Sequence, residues 1–286
     1  MDTPTGWRAR LHLGFARQGE RSVLAHRQFS GPLRVQKALY PEGPSICHAH
    51  VLHPPSGIAE GDDLAVSVHV GAQAHAVLTT PGATHWYKSP RHGASLSLAL
   101  RTEAGAALEW LPLENIFFDD AQVRLVTRID LDPGSFALGW EGGQWGRRPD
   151  AGGHLLWQGA RVQADTQLRV GDELLWLEQG HVASGDALLQ GDQGWGAFPC
   201  QASLWCYHAG WTAAHAQTLA ETLPWTPDLR AAVSCLPRDS GPGGLLLLRV
   251  LGRQMQAVRS VLAQTRLRLR QHSLNRPGAD LRIWAT

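Results

Sequence analysis

Apolar and polar residues alternate at short intervals over much of the first two thirds of the chain. One run places apolar residues at every second position: Leu64, Val66, Val68 and Val70. The alternation recurs through Leu96, Leu98 and Leu100, and again around Thr127. Because successive side chains of a strand point to opposite faces, this period of two predicts strands that are buried on one side.

Turns separate many further runs of this kind, and the whole chain holds 31 Gly and 17 Pro. The additional strand candidates are Arg8–Ala16, Leu33–Leu39, Ile46–Leu52, Ala74–Thr79, Ala107–Leu111, Phe136–Trp140, Gln163–Val170 and Leu174–Gln179. Many short strands in close succession predict an all-β body. No helical stripe is evident before about residue 210, which argues against alternating strand–helix units.

The last quarter of the chain has a different pattern. Ala213–Thr222 and Asp228–Cys235 each fit a short helix, and Leu245–Leu251 predicts one more buried strand. From Arg253 to about Gln271, apolar residues recur near helical spacing and predict an amphipathic helix. Its other face carries four arginines: Arg259, Arg266, Arg268 and Arg270. These arginines fit either a solvated surface or a surface for an acidic partner.

Size and composition fit one folded domain. The chain has 286 residues, of which 43% are hydrophobic, with 26 Lys+Arg against 25 Asp+Glu. We expect a single domain over residues 1–286, with a β body at about 1–210 and a mixed helix and strand part at about 211–286. The balanced charge predicts neither nucleic acid nor a membrane as partner. No apolar run approaches the roughly 20 residues of a membrane span. The N-terminus lacks a signal-peptide pattern, so we expect a cytoplasmic protein.

Histidine is concentrated in one segment, which also holds a cysteine. Seven of the 14 histidines fall between His48 and His92, and Cys47, His50 and His53 lie beside the first of them. In a strand, His48 and His50 would share one face and Cys47 would lie on the other, so one tetrahedral centre could not use the whole segment without a bulge. The segment fits either a half-buried strand with exposed histidines or a metal site. The four cysteines are too scattered for a disulfide framework.

Several common enzyme signatures are missing from the sequence. It contains no G-x-x-x-x-G-K-[ST], no G-x-S-x-G and no H-E-x-x-H. Adjacent carboxylates such as Asp62 and Asp63 would point to opposite faces of a strand, so their spacing alone does not make an acid/base pair.

Three blocks of turn residues form the most distinctive motif. They read GPLRVQKALYPEG from Gly31, LHPPSGIAEGD from Leu52 and LTTPGATHWYKS from Leu78. Turns of this kind hold polar groups in fixed loops between strands. Together the blocks closely resemble the urease accessory protein D family (UreD, called UreH in some organisms).

Further matches to this family follow in the same order to the end of the chain. They are Leu108–Pro112, Glu114, Phe118-Asp119, Gly139–Glu141, Gly146-Arg147 and Arg282–Trp284. The chain departs from the family pattern at Glu60, where Gly is more usual, and at His85, where Lys is more usual. Both are loop substitutions that keep the backbone pattern.

The resemblance implies an all-β protein with many short strands in a solenoid-like or stacked-sheet body and a few helices near the C-terminus. It implies a urease maturation factor that is not an enzyme. Such a scaffold would bind apo-urease and the F accessory protein and, through F, the GTPase G accessory protein. It would help deliver a transient nickel ion to the urease active site, through an internal passage and with no permanently bound cofactor.

A nickel passage must bind the ion weakly enough to release it, which favours carboxylates, carbonyls and waters over clustered thiolates and imidazoles. The acidic candidates are Asp62, Glu42, Glu109, Glu114, Asp119, Glu141 and Glu178. We expect Asp62 and Glu42 to matter most, because rigid Gly/Pro turns hold both. Each candidate could instead cap a turn or pair with a cation such as Arg34, Lys37 or Arg147.

Two other functions stay open at this point. One is a β-barrel metal-dependent enzyme that uses the Cys47, His48, His50 and His53 region. The other is an interaction module that never contacts metal. Stable association with apo-urease and the accessory proteins favours the scaffold, whereas a tightly held stoichiometric metal favours the enzyme.

Overall fold

The computed structural model describes residues 6–147, 157–278 and 281–285. Its strands are β1 (Arg8–Gln18), β2 (Arg21–Ser30), β3 (Arg34–Val35), β4 (Cys47–Leu52), β5 (Gly57–Ile58), β6 (Asp63–Val70), β7 (His75–Thr79), β8 (Thr84–Trp86), β9 (Ala94–Thr102), β10 (Ala107–Leu111), β11 (Asn115–Phe117), β12 (Gln122–Leu131), β13 (Phe136–Trp145), β14 (Arg161–Val170), β15 (Glu173–Ala183), β16 (Cys200–His208), β17 (Leu229–Pro237) and β18 (Gly244–Gly252). The helices are α1 (Ala187–Gln190), α2 (Ala213–Ala220) and α3 (Met255–Leu274), with a 3-10 helix at Arg282–Ala285. The prediction of an all-β protein with few helices is confirmed.

The strands form two mixed sheets. Sheet 1 has the order β15-β14-β12-β9-β6-β1-β2. Sheet 2 has the order β17-β18-β16-β13-β10-β7-β4-β3, and β11, β8 and β5 continue from β13. From β1 to β14 in sheet 1 and from β4 to β13 in sheet 2, neighbouring strands are parallel. The outer pairs, such as β14 with β15 and β16 with β18, are antiparallel.

The chain winds back and forth between the two sheets. Strands β6, β9 and β12 lie in sheet 1, whereas β7, β10 and β13 lie in sheet 2. Parallel neighbours need a long crossover connection, and here that connection is a strand of the opposite sheet instead of a helix. This winding confirms the stacked-sheet body and explains how parallel sheets form without strand–helix units.

The largest core lies between the sheets. The predicted apolar face of β6 is buried there, with Leu64 2%, Val66 5% and Val70 0% exposed. This core contains residues from as far apart in sequence as Ala9 and Leu247. The prediction of a single domain over residues 1–286 is compatible with that cluster and stays a prediction.

A second core covers the outer face of sheet 2, where α2 and α3 pack. Val258, Leu262 and Leu269 of α3 are buried in it. Strands β7 and β10 are consequently buried on both faces. The amphipathic helix predicted from Arg253 to about Gln271 is confirmed as α3. No helix of the described ranges is long and apolar enough to cross a membrane.

Two local predictions need correction, and one strand was missed. The helix predicted over Asp228–Cys235 is wrong, because these residues form most of β17, which pairs with β18 from Leu229 to Pro237. Backbone pairing with a neighbouring strand overrides the local helix preference of its alanines. Of the strand predicted over Leu33–Leu39, only the two residues of β3 (Arg34–Val35) are in a strand. Strand β2 was not predicted, because most of its residues are exposed and give no alternation.

Candidate functional site

Six polar residues lie in register in the space between the two sheets, three on each sheet. On sheet 2, Glu141 of β13 is opposite Ser203 of β16, which is opposite Arg249 of β18. On sheet 1, Thr127 of β12 is opposite Thr166 of β14, which is opposite Glu178 of β15. We call these six residues the interior polar row.

Hydrogen bonds connect five of the six members of the interior polar row across the two sheets. The Thr127 hydroxyl donates to Oε1 of Glu141 at 2.6 Å. The Arg249 guanidinium donates to Oε1 of Glu178 at 2.8 Å and to the hydroxyl of Ser203 at 2.9 Å. A second guanidinium nitrogen of Arg249 contacts the other oxygen of Glu178, so the pair is bidentate.

Two cavities meet at this row. The first has a volume of about 370 Å³ and the second about 460 Å³. Asn115, Leu125 and Glu141 line both. Glu178 and Arg249 line the second, where their side chains are 39% and 42% exposed. The two cavities therefore follow one another between the sheets. The Glu141 carboxylate lies where they meet, and the Glu178–Arg249 ion pair lies near one end.

The second and third sequence blocks build the far end of the first cavity. Its lining includes Ser56 and Gly57 from one block and Gly82 and His85 from the other. The two blocks pack closely, since β5 pairs with β8. A Cβ atom at Gly57 would lie 2.2 Å from the Tyr87 ring, so any larger residue there would have to displace that ring. The turn residues of the motif thus shape an opening between the sheets.

The environment of Glu141 disfavours its ionised form. Burial raises the pKa of this carboxyl, the Thr127 hydrogen bond partly opposes the rise, and the charge of Glu178 adds to it. Protein surrounds Glu141, yet the residue keeps some accessible surface because it faces the cavities. A cation nearby would favour the ionised form of this carboxyl, which its surroundings otherwise oppose.

Glu109 and Glu42 belong to a different cluster, under α3 on the outer face of sheet 2. Oε2 of Glu109 lies 2.6 Å from Nε of Arg266, and its Oε1 lies 2.9 Å from Nε2 of His75. Arg270 connects the two glutamates, with its Nε 3.2 Å from Glu109 and its Nη2 2.7 Å from Glu42. Nε2 of His48 lies 2.8 Å from Glu42. We call these six residues the α3 ion-pair network.

Both glutamates of the network stay ionised. Burial alone would raise the pKa of Glu109, but the charge of Arg266, the His75 hydrogen bond and the charge of Arg270 hold it well below its usual value. For Glu42, burial again raises the pKa, but the hydrogen bonds to His48 and Arg270 outweigh this effect. The net result is a lowered pKa. Arg266 and Arg270 are 1% and 0% exposed. These two arginines therefore lie on neither a solvated surface nor a partner-facing surface of the helix.

The other three predicted carboxylates lie apart from the interior polar row. Asp62 accepts from the backbone N–H of Trp7 at 2.7 Å and of Ala59 at 2.8 Å. Asp119 accepts from the backbone N–H of Gln158 at 2.9 Å. Oε2 of Glu114 lies 3.7 Å from Nε of Arg259. Asp62 and Asp119 thus stabilise loops by accepting backbone hydrogen bonds, as expected for the alternative role of capping a turn. Their part in a nickel route stays a prediction.

The Cys47–His53 segment is mostly buried, so the interpretation with exposed histidines is wrong. Cys47, His48 and His50 are 0%, 3% and 8% exposed. His48 bonds to Glu42, and Nδ1 of His50 lies 2.9 Å from the Gln36 side-chain oxygen. Among the described residues, no three His, Cys, Asp or Glu side chains are arranged to hold a metal ion.

Four members of the interior polar row were missed from the sequence: Thr127, Thr166, Ser203 and Arg249. A signal existed for two of them. Thr127 and Thr166 each occupy an inward position of a strand whose other inward positions are apolar, as in Val162, Thr166 and Leu168. A polar residue in the apolar phase of a strand is a candidate for an interior site. Ser203 and Arg249 offered no such signal, since their strands are largely buried on both faces.

Comparison with known proteins identifies a family over nearly the whole chain. The family described as "UreD urease accessory protein" matches residues 8–285. A urease accessory protein UreD of Ralstonia nicotianae is 47% identical over 100% of this chain and 96% of its own length. Proteins of the same name from Delftia acidovorans and Bordetella pertussis are 47% and 44% identical, over 99% and 100% of this chain and 95% and 99% of their own lengths.

The matched proteins carry the name of an accessory protein, which is an assembly factor and not a catalytic enzyme. The chain belongs to the UreD family of urease accessory proteins. Its role is accordingly in urease maturation. The alternative of a β-barrel metal-dependent enzyme is wrong.

Proposed function

We propose that this protein is a scaffold that conducts Ni²⁺ to apo-urease through the space between its two sheets. The observation that carries the proposal is the junction of two cavities at Glu141. Nickel is the cargo of this passage, which holds it transiently, and no cofactor is bound permanently. The partners are apo-urease and the F accessory protein, with the GTPase G accessory protein bound through F, in the cytoplasm.

The chemistry of the interior polar row supports a conduit. Carboxylate, hydroxyl and carbonyl oxygens suit a hydrated divalent cation that must be released again. Glu141 and Glu178 are the two predicted carboxylates that line the cavities. Thr127 lines the first cavity and donates to Glu141. Sparse oxygen ligands of this kind favour passage over storage.

The α3 ion-pair network is less suited to carry nickel. Both its glutamates already face arginines that cannot lose their charge. A cation that used Glu42 or Glu109 would have to displace a buried guanidinium and leave it unpaired, which is strongly unfavourable. We therefore place the route at Glu141 and give Glu42 a structural role.

The passage is tested by filling its junction. Leu125 lines both cavities, so Leu125→Trp should obstruct them. We expect the complex with apo-urease and the accessory proteins to form as before, whereas urease matured at limiting nickel contains several-fold less nickel and is correspondingly less active. Metal content and activity of purified urease are the measurements.

Leu177→Trp is the matched control, because Leu177 is 51% exposed and lines neither of these cavities. It should leave maturation unchanged. Full nickel incorporation with Leu125→Trp, in a complex of normal composition, would show that the protein acts as a scaffold without a conduit.

A further inference from the structure

The end of the second cavity holds a permanent positive charge, which is unexpected in a route for cations. Among the described residues that line this cavity, Arg249 alone has a side chain that is always charged. Its guanidinium does not point away from the cavity's carboxylate but binds both oxygens of Glu178. The outer carboxylate of this cavity is therefore neutralised by Arg249.

The strand register fixes Arg249 in this position. Arg249 and Ser203 are direct neighbours on β18 and β16, and the Ser203 hydroxyl accepts from the same guanidinium nitrogen that binds Glu178. Glu178 comes from sheet 1, so the ion pair closes the gap between the two sheets. The guanidinium occupies the space beside Glu178 that a cation bound to that carboxylate would need.

The ion pair is nevertheless able to open. The two side chains are 42% and 39% exposed, so solvent screens their attraction and can hydrate either partner when they separate. The buried pairs of Arg266 and Arg270 with Glu109 lack this property, because their side chains are at most 2% exposed. A long side chain at the cavity end can move its charged group outward while its stem stays in place.

We propose that Arg249 is an internal counter-cation of the passage, which occupies Glu178 while the passage is empty and is displaced by a divalent cation that binds between Glu178 and Glu141. The proposal rests on the proposed conduit for the identity of the cation. Competition from a tethered guanidinium lowers the affinity of the site for metal, because each binding event must first break the bidentate pair. The site is thereby kept from retaining its cargo.

The test is the affinity of the purified full-length chain for Ni²⁺ alone, measured by equilibrium dialysis. Arg249→Met removes the charge and keeps a long apolar stem. We expect it to tighten Ni²⁺ binding at this site by about tenfold or more, the factor that corresponds to roughly 1.4 kcal/mol. Glu178→Gln in the Arg249→Met background should abolish the gain.

Arg253→Met is the matched control. Arg253 is 44% exposed and paired with Asp228 at 3.4 Å, so this change also removes one half-exposed, ion-paired arginine, but it does so outside the lining of the cavity. It should leave the affinity unchanged. Arg249→Lys provides a second variant if Arg249→Met does not fold. It keeps the charge but loses the bidentate geometry, so a smaller gain in affinity is expected.

Unchanged or weaker Ni²⁺ binding by Arg249→Met and Arg249→Lys would overturn the proposal, and so would a gain that survives Glu178→Gln. These outcomes are distinguishable from failure of the conduit, because the affinity assay needs no urease. A tenfold gain with Arg249→Met, combined with normal maturation by Leu125→Trp, would support the counter-cation and reject the conduit.

Discussion

Glu109 and Glu141 are the same residue type in opposite electrostatic settings. Glu109 has no exposed surface and lies among two arginines and a histidine, which hold it ionised. Glu141 has a hydroxyl for its partner and another carboxylate nearby, which favour its neutral form. The first arrangement stabilises the fold, whereas the second carries a cost in stability that is typical of functional positions.

Replacing Glu109 should destabilise the protein strongly. Glu109→Gln leaves two buried arginines without their common carboxylate, and such a loss costs about 3–5 kcal/mol. Because the folded-state pKa of Glu109 lies below its ordinary value of 4.5, the stabilisation is fully present at neutral pH and is lost as pH falls below that value. Urea unfolding of both proteins should therefore show a stability difference at pH 7 that shrinks below about pH 4.5.

Replacing Glu141 should have the opposite effect on the stability of the protein. Its pKa is raised, so ionisation at neutral pH opposes folding, and Glu141→Gln should be neutral or more stable than the parent by up to about 1–2 kcal/mol at pH 7. The parent loses stability relative to this variant as pH rises above the ordinary value of 4.5. A Glu141→Gln protein that unfolds at lower urea concentration than the parent at pH 7 would contradict the raised pKa.

At the scale of elements, α3 is held to sheet 2 by more than its apolar stripe. Val258, Leu262 and Leu269 supply hydrophobic burial, and Arg266 and Arg270 reach carboxylates beneath the helix. The arginines that the sequence places on a polar helix face are thus divided between core and surface. Periodicity shows which residues share a face but not whether a carboxylate lies opposite them.

Arg270 and Arg259 allow a comparison within this helix. Arg270→Met removes the connection between Glu42 and Glu109 and should cost about 3 kcal/mol or more, with reduced protection of α3 amides against hydrogen exchange. Arg259→Met removes a pair at 3.7 Å whose arginine is 40% exposed, and should cost less than about 1 kcal/mol. Equal loss of protection in both variants would mean that the buried network does not anchor the helix.

At the scale of the whole molecule, the winding of the chain between two sheets creates both the core and the cavities. Apolar residues such as Val66 and Leu98 fill the space between the sheets, and in the same register Thr127, Thr166 and Glu178 replace them further along sheet 1. The packed interior therefore changes to a polar one along a single row. That change places the cavities next to the apolar core.

The β character, most strand positions, helix α3 and the family could all be predicted from the sequence, because alternation, turn residues and long motifs are local properties of the chain. The sequence also indicated Glu141 and Glu178, together with five other carboxylates that lie in different surroundings. The folded structure was needed to show that Glu109 is neutralised by Arg266, that Asp62 fixes a turn, and that Glu141 lies in line with Ser203 and Arg249. These are contacts between residues up to 157 positions apart. Strand register and helix docking set such contacts, and both depend on how segments that are distant in sequence pack against each other.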